Sequence, residues 1–303
     1  MDGSARRIGN RGFLLTALWL SLISTSASGQ TGAVYDDLSF KSKILKGERK
    51  YAIYLPPGYD TSQRSYPVLY LLHGAGGDHR SWVHFGEVLR LADKVIRSGD
   101  ATAMIIAMPD AQTGHRGYRN RPEVDWRYED FFFEEFVPHV ETAFRVRAEK
   151  RHRAVAGLSM GGGGSFRYAL HRPGMFSSAC PLSASTGARS LEALRETIAR
   201  RAVENPEILD TPDSLVVAFY RQQSVLYMVE NLPEEELRSV RWYIDCGDDD
   251  HLYEGNSLVH LAMSRREIPH EYRVRDGGHD WAYWRDSLPE VLRFVSHAFR
   301  GNR

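Results

Sequence analysis

Short apolar runs alternate along the chain with longer amphipathic stretches. Tyr51–Leu55 alternates as a half-buried strand does and ends at the turn Pro56-Pro57-Gly58-Tyr59. Pro67–Leu72 (PVLYLL) and Met104–Met108 (MIIAM) are continuous apolar runs, and Arg153–Ala156, Val240–Cys246 (VRWYIDC) and Glu271–Val274 also read as strands. Between them, Trp82–Ile96, Tyr128–Phe144, Ser165–His171, Leu191–Val203, Ser214–Val229, Leu252–Arg266 and Leu288–Phe299 are predicted as helices. Strands alternating with helices predict an α/β fold whose mostly parallel sheet is covered on both faces. Residues 184–239 have few strand signals and many charges, which predicts a helical insertion acting as a cap over a site within one domain spanning 30–303.

The first residues break this rhythm. Arg6, Arg7 and Arg11 precede the apolar stretch Phe13–Ile23 and the small residues Ser24–Gly29. A basic head, a short apolar middle and a small-residue end are the layout of a secretory signal peptide over residues 1–29, too short to span a bilayer as a helix. Cleavage would leave an exported chain, periplasmic or extracellular, that starts near Gln30 and has no stable membrane anchor.

Charge narrows the partners. Lys plus Arg equals Asp plus Glu at 39 each, so no overall field favours nucleic acid. Of the two cysteines, Cys180 and Cys246 each lie in an apolar strand-like run, which favours buried free thiols over a disulfide.

Candidate chemistry lies in the loops after the strands, where sites of open α/β sheets form. Ala154–Gly164 reads AVAGLSMGGGG and contains Gly157-Leu158-Ser159-Met160-Gly161, a G-x-S-x-G at a strand-to-helix junction. A serine on so sharp a turn is lifted towards a base that can take its proton. After Pro67–Leu72 comes His73-Gly74-Ala75-Gly76-Gly77-Asp78, a glycine loop that leaves backbone amides uncovered. The Ala75 and Met160 amides are the expected donors to a tetrahedral oxyanion. A phosphate cradle is disfavoured, because no Gly-Lys-Ser/Thr follows and the dinucleotide fingerprint fails at its third glycine. Gly247-Asp248-Asp249-Asp250-His251 offers a carboxylate to orient an imidazole, and its contiguous acids do not suit a calcium loop. His279, in Asp276-Gly277-Gly278-His279-Asp280-Trp281, completes the order Ser, Asp, His.

Taken together, LYLLHGAGGD (69–78), MPDAQTG (108–114), WRYEDFFFEEFVPHVE (126–141), AVAGLSMGGGG (154–164), WYIDCGDDDHLYEGN (242–256) and IPHEYRVRDGGHDWAYW (268–284) resemble the esterase D-like group of α/β-hydrolases, close to carbohydrate esterase family 1 with its feruloyl and acetylxylan esterases. The resemblance implies Ser159 as nucleophile, His279 as base and an acid that falls on Asp250, with Asp249 the neighbouring alternative. It also implies the oxyanion amides at Ala75 and Met160. Neither metal nor organic cofactor is required by such a two-step ester hydrolysis.

For the substrate, export favours feruloyl or acetyl groups on plant polysaccharide, or another small ester. The alternatives are a thioesterase like S-formylglutathione hydrolase, an acyltransferase like the mycolyltransferases, and an inactive hydrolase fold used for binding. Trp82, Tyr118, Trp281 and Trp284, with Trp126 and Tyr283, are candidate walls of an acyl or sugar pocket. Arg116, Arg119 and Arg121 read as a solvated loop, with contact to a substrate oxygen as the other reading.

Overall fold

The computed structural model describes residues 31–111, 117–121, 124–204 and 206–301; the expected signal peptide and Arg116 lie outside them. Among the described residues ten strands run in chain order: β1 (Ala33–Ser42), β2 (Gly47–Leu55), β3 (Val68–Leu72), β4 (Ile105–Pro109), β5 (Asn120–Arg121), β6 (Trp126–Arg127), β7 (Arg153–Leu158), β8 (Ser178–Leu182), β9 (Arg241–Gly247) and β10 (His270–Arg275). Eight of them form one sheet in the order β1-β2-β4-β3-β7-β8-β9-β10, and β5 pairs with β6 apart from it. From β4 to β10 every neighbour is parallel, while β1 and β2 pair antiparallel with each other and β2 pairs antiparallel with β4.

The helices are α1 (Ser81–His84), α2 (Val88–Arg97), α3 (Tyr128–Phe131), α4 (Val137–Ala143), α5 (Met160–His171), α6 (Leu191–Ala202), α7 (Asp213–Gln223), α8 (Val225–Asn231), α9 (Glu234–Arg238), α10 (Tyr253–Arg265) and α11 (Trp281–Arg300). A π-helical turn, Phe132–Phe136, joins α3 to α4. Successive residues of β3 face opposite ways. Val68, Tyr70 and Leu72 join a core with Phe132, Phe136 and Phe166, whereas Leu69 and Leu71 pack with Val88, Leu91, Leu288 and Val291 of α2 and α11. Both faces are thereby buried, which is why the central strands read as unbroken apolar runs.

Several expected boundaries move for local reasons. The stretch Trp82–Ile96 divides at Gly86, where a Cβ would lie 2.4 Å from the Trp82 ring, and Glu87 then takes φ 51°. Ser214–Val229 divides at Ser224, whose side chain accepts the Tyr227 amide and caps α8. The last helix starts at Trp281, well before Leu288, because the Asp280 carboxylate accepts the Tyr283 amide at 3.0 Å and caps it there. Helix α5 starts at Met160 instead of Ser165, so its four glycines are helical.

Between β8 and β9, residues 184–239 hold α6 to α9, and no strand occurs there among the described residues. No helix among the described residues is long and apolar enough to cross a membrane.

Candidate active site

The strand order reverses at β3: the chain leaves it for β4 on one side, then returns to β7 on the other. Loops leaving the carboxyl ends of strands diverge at such a point and open a crevice. Ser159 follows β7 there with φ 55° and ψ −115°, and α5 begins at the next residue. The Ser159 amide donates to the Leu182 carbonyl at 2.9 Å and its own carbonyl accepts from Ser185, so the turn is held by β8 on one side. On the other side α5 lies against backbone. A Cβ on Gly161 would stand 2.5 Å from the Leu72 carbonyl oxygen, and one on Gly163 would stand 2.2 Å from that of Ser185. Glycine is therefore required for the helix to sit this deep between the loops after β3 and β8.

Three sequence-predicted residues meet in this crevice. His279 Nε2 lies 2.9 Å from Ser159 Oγ, and His279 Nδ1 lies 2.8 Å from Asp250 Oδ2. Asp250 Oδ1 accepts the Leu252 amide at 2.8 Å. Burial pushes the Asp250 carboxyl up, but hydrogen bonds from His279, Leu252 and Ser183 outweigh it and hold the group below the usual carboxylate range. Asp249 does not take this place. It is exposed, its amide donates to the Gly277 carbonyl, and its carboxylate lies with those of Asp248 and Asp276 at the surface.

The loop after β3 is pinned by His73, which is buried. Its Nε2 accepts the Ala111 amide at 3.0 Å, which leaves Nδ1 to donate to the Gly74 carbonyl at 2.8 Å. Burial lowers the affinity of this imidazole for a second proton. Tyr118 adds a hydrogen bond to the His73 carbonyl. With the loop so held, Ala75 stands in the pocket beside Ser159, and Met160, as the first residue of α5, has an amide with no acceptor within its own helix. Gly74–Gly77, Ser159, His279, Phe85, Trp281 and Trp284 enclose a pocket of about 240 Å³.

The aromatic candidates divide. Trp281 and Trp284 line that pocket; the Trp284 ring stands edge-on to His279 at 4.9 Å, and its Nε1 donates to Ser183 Oγ. Trp82 does not line it. It is wholly buried behind Trp281, and its Nε1 donates to the Leu72 carbonyl at 3.0 Å, so its expected place in a substrate wall is corrected to one in the core. Trp126 and Tyr283 are also core residues, with polar tips bonded to the Gly117 carbonyl and to Asp245. Tyr118 is buried, and its hydroxyl is committed to His73, so it serves as packed floor to a second pocket and offers no polar group. Arg119 is half-buried at that second pocket with its guanidinium 4.8 Å from the Phe219 ring centroid, which corrects the solvated-loop reading.

Two residues absent from the sequence reading complete the framework. Ser183, buried at φ 43°, bonds Asp250 and Trp284 together. Asp245, wholly buried on β9, accepts from Tyr243, Tyr283 and Arg275, and so ties β9, β10 and α11 at the base of the loops that carry Asp250 and His279. Cys180 and Cys246 are buried free thiols.

A parallel sheet with this order, a serine on a positive-φ turn between strand and helix, and the chain order Ser, Asp, His define an α/β-hydrolase. Within that class, the Esterase family model matches residues 42–295, and the chain belongs to this family. An esterase of Mycobacterium tuberculosis is 30% identical over 300 residues, covering 92% of this chain; the chain spans 59% of that relative's length. A ferulic acid esterase of known structure superposes with a TM-score of 0.76 at 35% identity, over 89% of this chain and all of that one. An S-formylglutathione hydrolase from Staphylococcus aureus shares the fold, with a TM-score of 0.66 at 20% identity over 88% of this chain and 99% of its own.

Proposed function

We propose that the protein is an exported serine esterase that removes feruloyl or acetyl groups from plant polysaccharide through an acyl-enzyme. The observation that carries this reading is the unbroken chain of hydrogen bonds from Ser159 Oγ through His279 to Asp250. In this reading His279 Nε2 takes the Ser159 proton as Oγ attacks the ester carbonyl, while Asp250 holds the ring in the Nδ1–H form and stabilises the imidazolium. The amides of Ala75 and Met160 receive the developing oxyanion, and His279 returns its proton to the leaving alcohol. Water, activated by the same imidazole, then releases the acid and frees Ser159. Helices α6 to α9 serve as the cap.

Similarity to a ferulic acid esterase supports the acyl group, and Phe85, Trp281 and Trp284 offer the aromatic surface that a phenolic ring would pack on. Export rests on the composition of residues 1–29. The test is kcat/KM on methyl ferulate, an acetylated xylan oligosaccharide and a short-chain acyl ester, with Ser159→Ala as control. Turnover by the wild type, reduced about 10⁴-fold or more in the variant, is expected. Near-wild-type turnover by Ser159→Ala would overturn the mechanism, and turnover confined to short-chain esters would overturn the choice of acyl group.

A further inference from the structure

The second pocket, lined on one side by Met160 next to Ser159, has a volume of about 520 Å³ and is lined also by Arg119, Arg167, Arg189 and Arg201. No Asp or Glu lines it among the described residues. It reaches the reacting groups through their neighbours. Met160, the residue after the serine, forms part of its wall, and so does His251, whose ring stands 4.4 Å from that of His279.

Arg167 is the central observation. Its side chain folds back along α5 towards Ser159, so that a Cβ on Gly163 would lie 2.9 Å from Nη2. A guanidinium has five donors in a fixed fork. Here it reaches the Ser185 carbonyl at 3.4 Å, and no carboxylate among the described residues lies within ion-pairing distance of it. Burial, and then the neighbouring Arg119, lower its pKa to about 10, so its surroundings oppose the positive charge that it nevertheless carries at neutral pH. Glu254 neutralises Arg189, while Arg201 of α6 brings a further cation from the helical insertion. A half-buried guanidinium that faces a cavity beside Arg119, while the nearby Glu129 is engaged by His171, is stabilised by an anion that accepts two of its donors at once.

We infer that the half of the substrate lying in this pocket carries a carboxylate, bound by Arg167 with Arg201 beside it. The natural ester is then an acidic one, such as an acyl group on a saccharide that bears a sugar carboxylate. This inference rests on Ser159 being the point of attack, and it adds a preference for charge that neither a ferulate nor an acetate ester of a neutral sugar satisfies.

The experiment compares two matched pairs of esters. Mono-4-nitrophenyl glutarate against 4-nitrophenyl pentanoate places the charge on the acyl side, and 4-acetoxybenzoate against its methyl ester places it on the alcohol side. At low ionic strength the wild type is expected to favour the charged member of one pair by about ten-fold or more in kcat/KM. That ratio should fall towards one in Arg167→Gln and, to a smaller extent, in Arg201→Gln, whose exposed position guards against loss of the fold. Turnover of the neutral esters with no preference in either pair overturns the inference and leaves the esterase reading standing. Should none of the four esters turn over, the esterase reading fails, and glutarate binding decides the pocket. Binding to the wild type that is weakened about ten-fold or more in Arg167→Gln supports it. Equal binding, or none, overturns it.

Discussion

Asp250 meets the Nδ1 of His279 at 2.8 Å, while the residue before it, Asp249, turns its carboxylate to the surface beside Asp248 and Asp276. The two variants Asp250→Asn and Asp249→Asn should therefore part widely. Loss of the acid leaves the imidazole free to adopt the wrong tautomer, a change that costs about 10⁴-fold in kcat in a comparable triad. Asp249→Asn should stay within a few-fold of wild type. Steady-state kinetics on a short-chain acyl ester checks both, and a crippled Asp249→Asn beside an active Asp250→Asn would reverse the assignment.

The same carboxylate fixes a pH dependence of stability. Its folded pKa is depressed, so its contribution is fully present above the unfolded value, about 3.9, and is lost as pH falls through the lower folded value. Urea unfolding of wild type and Asp250→Asn should show a stability gap that holds near pH 5 and narrows below about pH 4. A gap that widens on acidification would contradict the depressed pKa.

Two neighbouring tryptophans should give opposite phenotypes. Trp82 is wholly buried with its indole N–H bonded to Leu72, so Trp82→Ala should cost about 3–5 kcal/mol of stability. Trp281 lines the pocket beside Ser159, and Trp281→Ala should change the ratio of kcat/KM between ferulate and acetyl esters with a smaller loss of stability. Thermal melts and the two-substrate ratio separate these outcomes; an unchanged ratio in Trp281→Ala would remove that residue from the acyl wall.

Burial keeps both thiols protonated: the Cys180 thiol is pushed well above its usual range and that of Cys246 up to about 12. An aqueous thiol reagent at neutral pH should leave the native protein unlabelled and modify both cysteines once it is unfolded. Fast labelling of the native state, or none after unfolding without reductant, would disprove the buried free thiols.

Legibility followed the glycines. Ser159, Ala75 and His279 stand in loops whose glycines are forced by close backbone approach or by positive φ, and such positions leave a mark on the sequence. Strand β1 leaves none, because it is an edge strand of mostly exposed and half-buried positions whose register shifts between Tyr35 and Leu38, which breaks the apolar alternation. Ser183 and Arg167 were equally hidden. Each acts through what folding brings beside it, Asp250 in one case and an arginine-lined cavity in the other. Trp82 shows the converse: an aromatic residue next to a site loop has the same composition whether it faces the cavity or the core, and its bond to Leu72 decides which.

The backbone of Ser159, at φ 55° and ψ −115°, sets durability against activity. A side-chain-bearing residue in so sparsely populated a region costs about 1–3 kcal/mol, whereas the extra freedom of an unfolded glycine costs about 0.4–1 kcal/mol. Ser159→Gly should then unfold at higher urea than Ser159→Ala, although both lack the hydroxyl. Any laboratory selection that rewards heat survival alone would favour this variant without a nucleophile, so a campaign to toughen the protein must score turnover in every round.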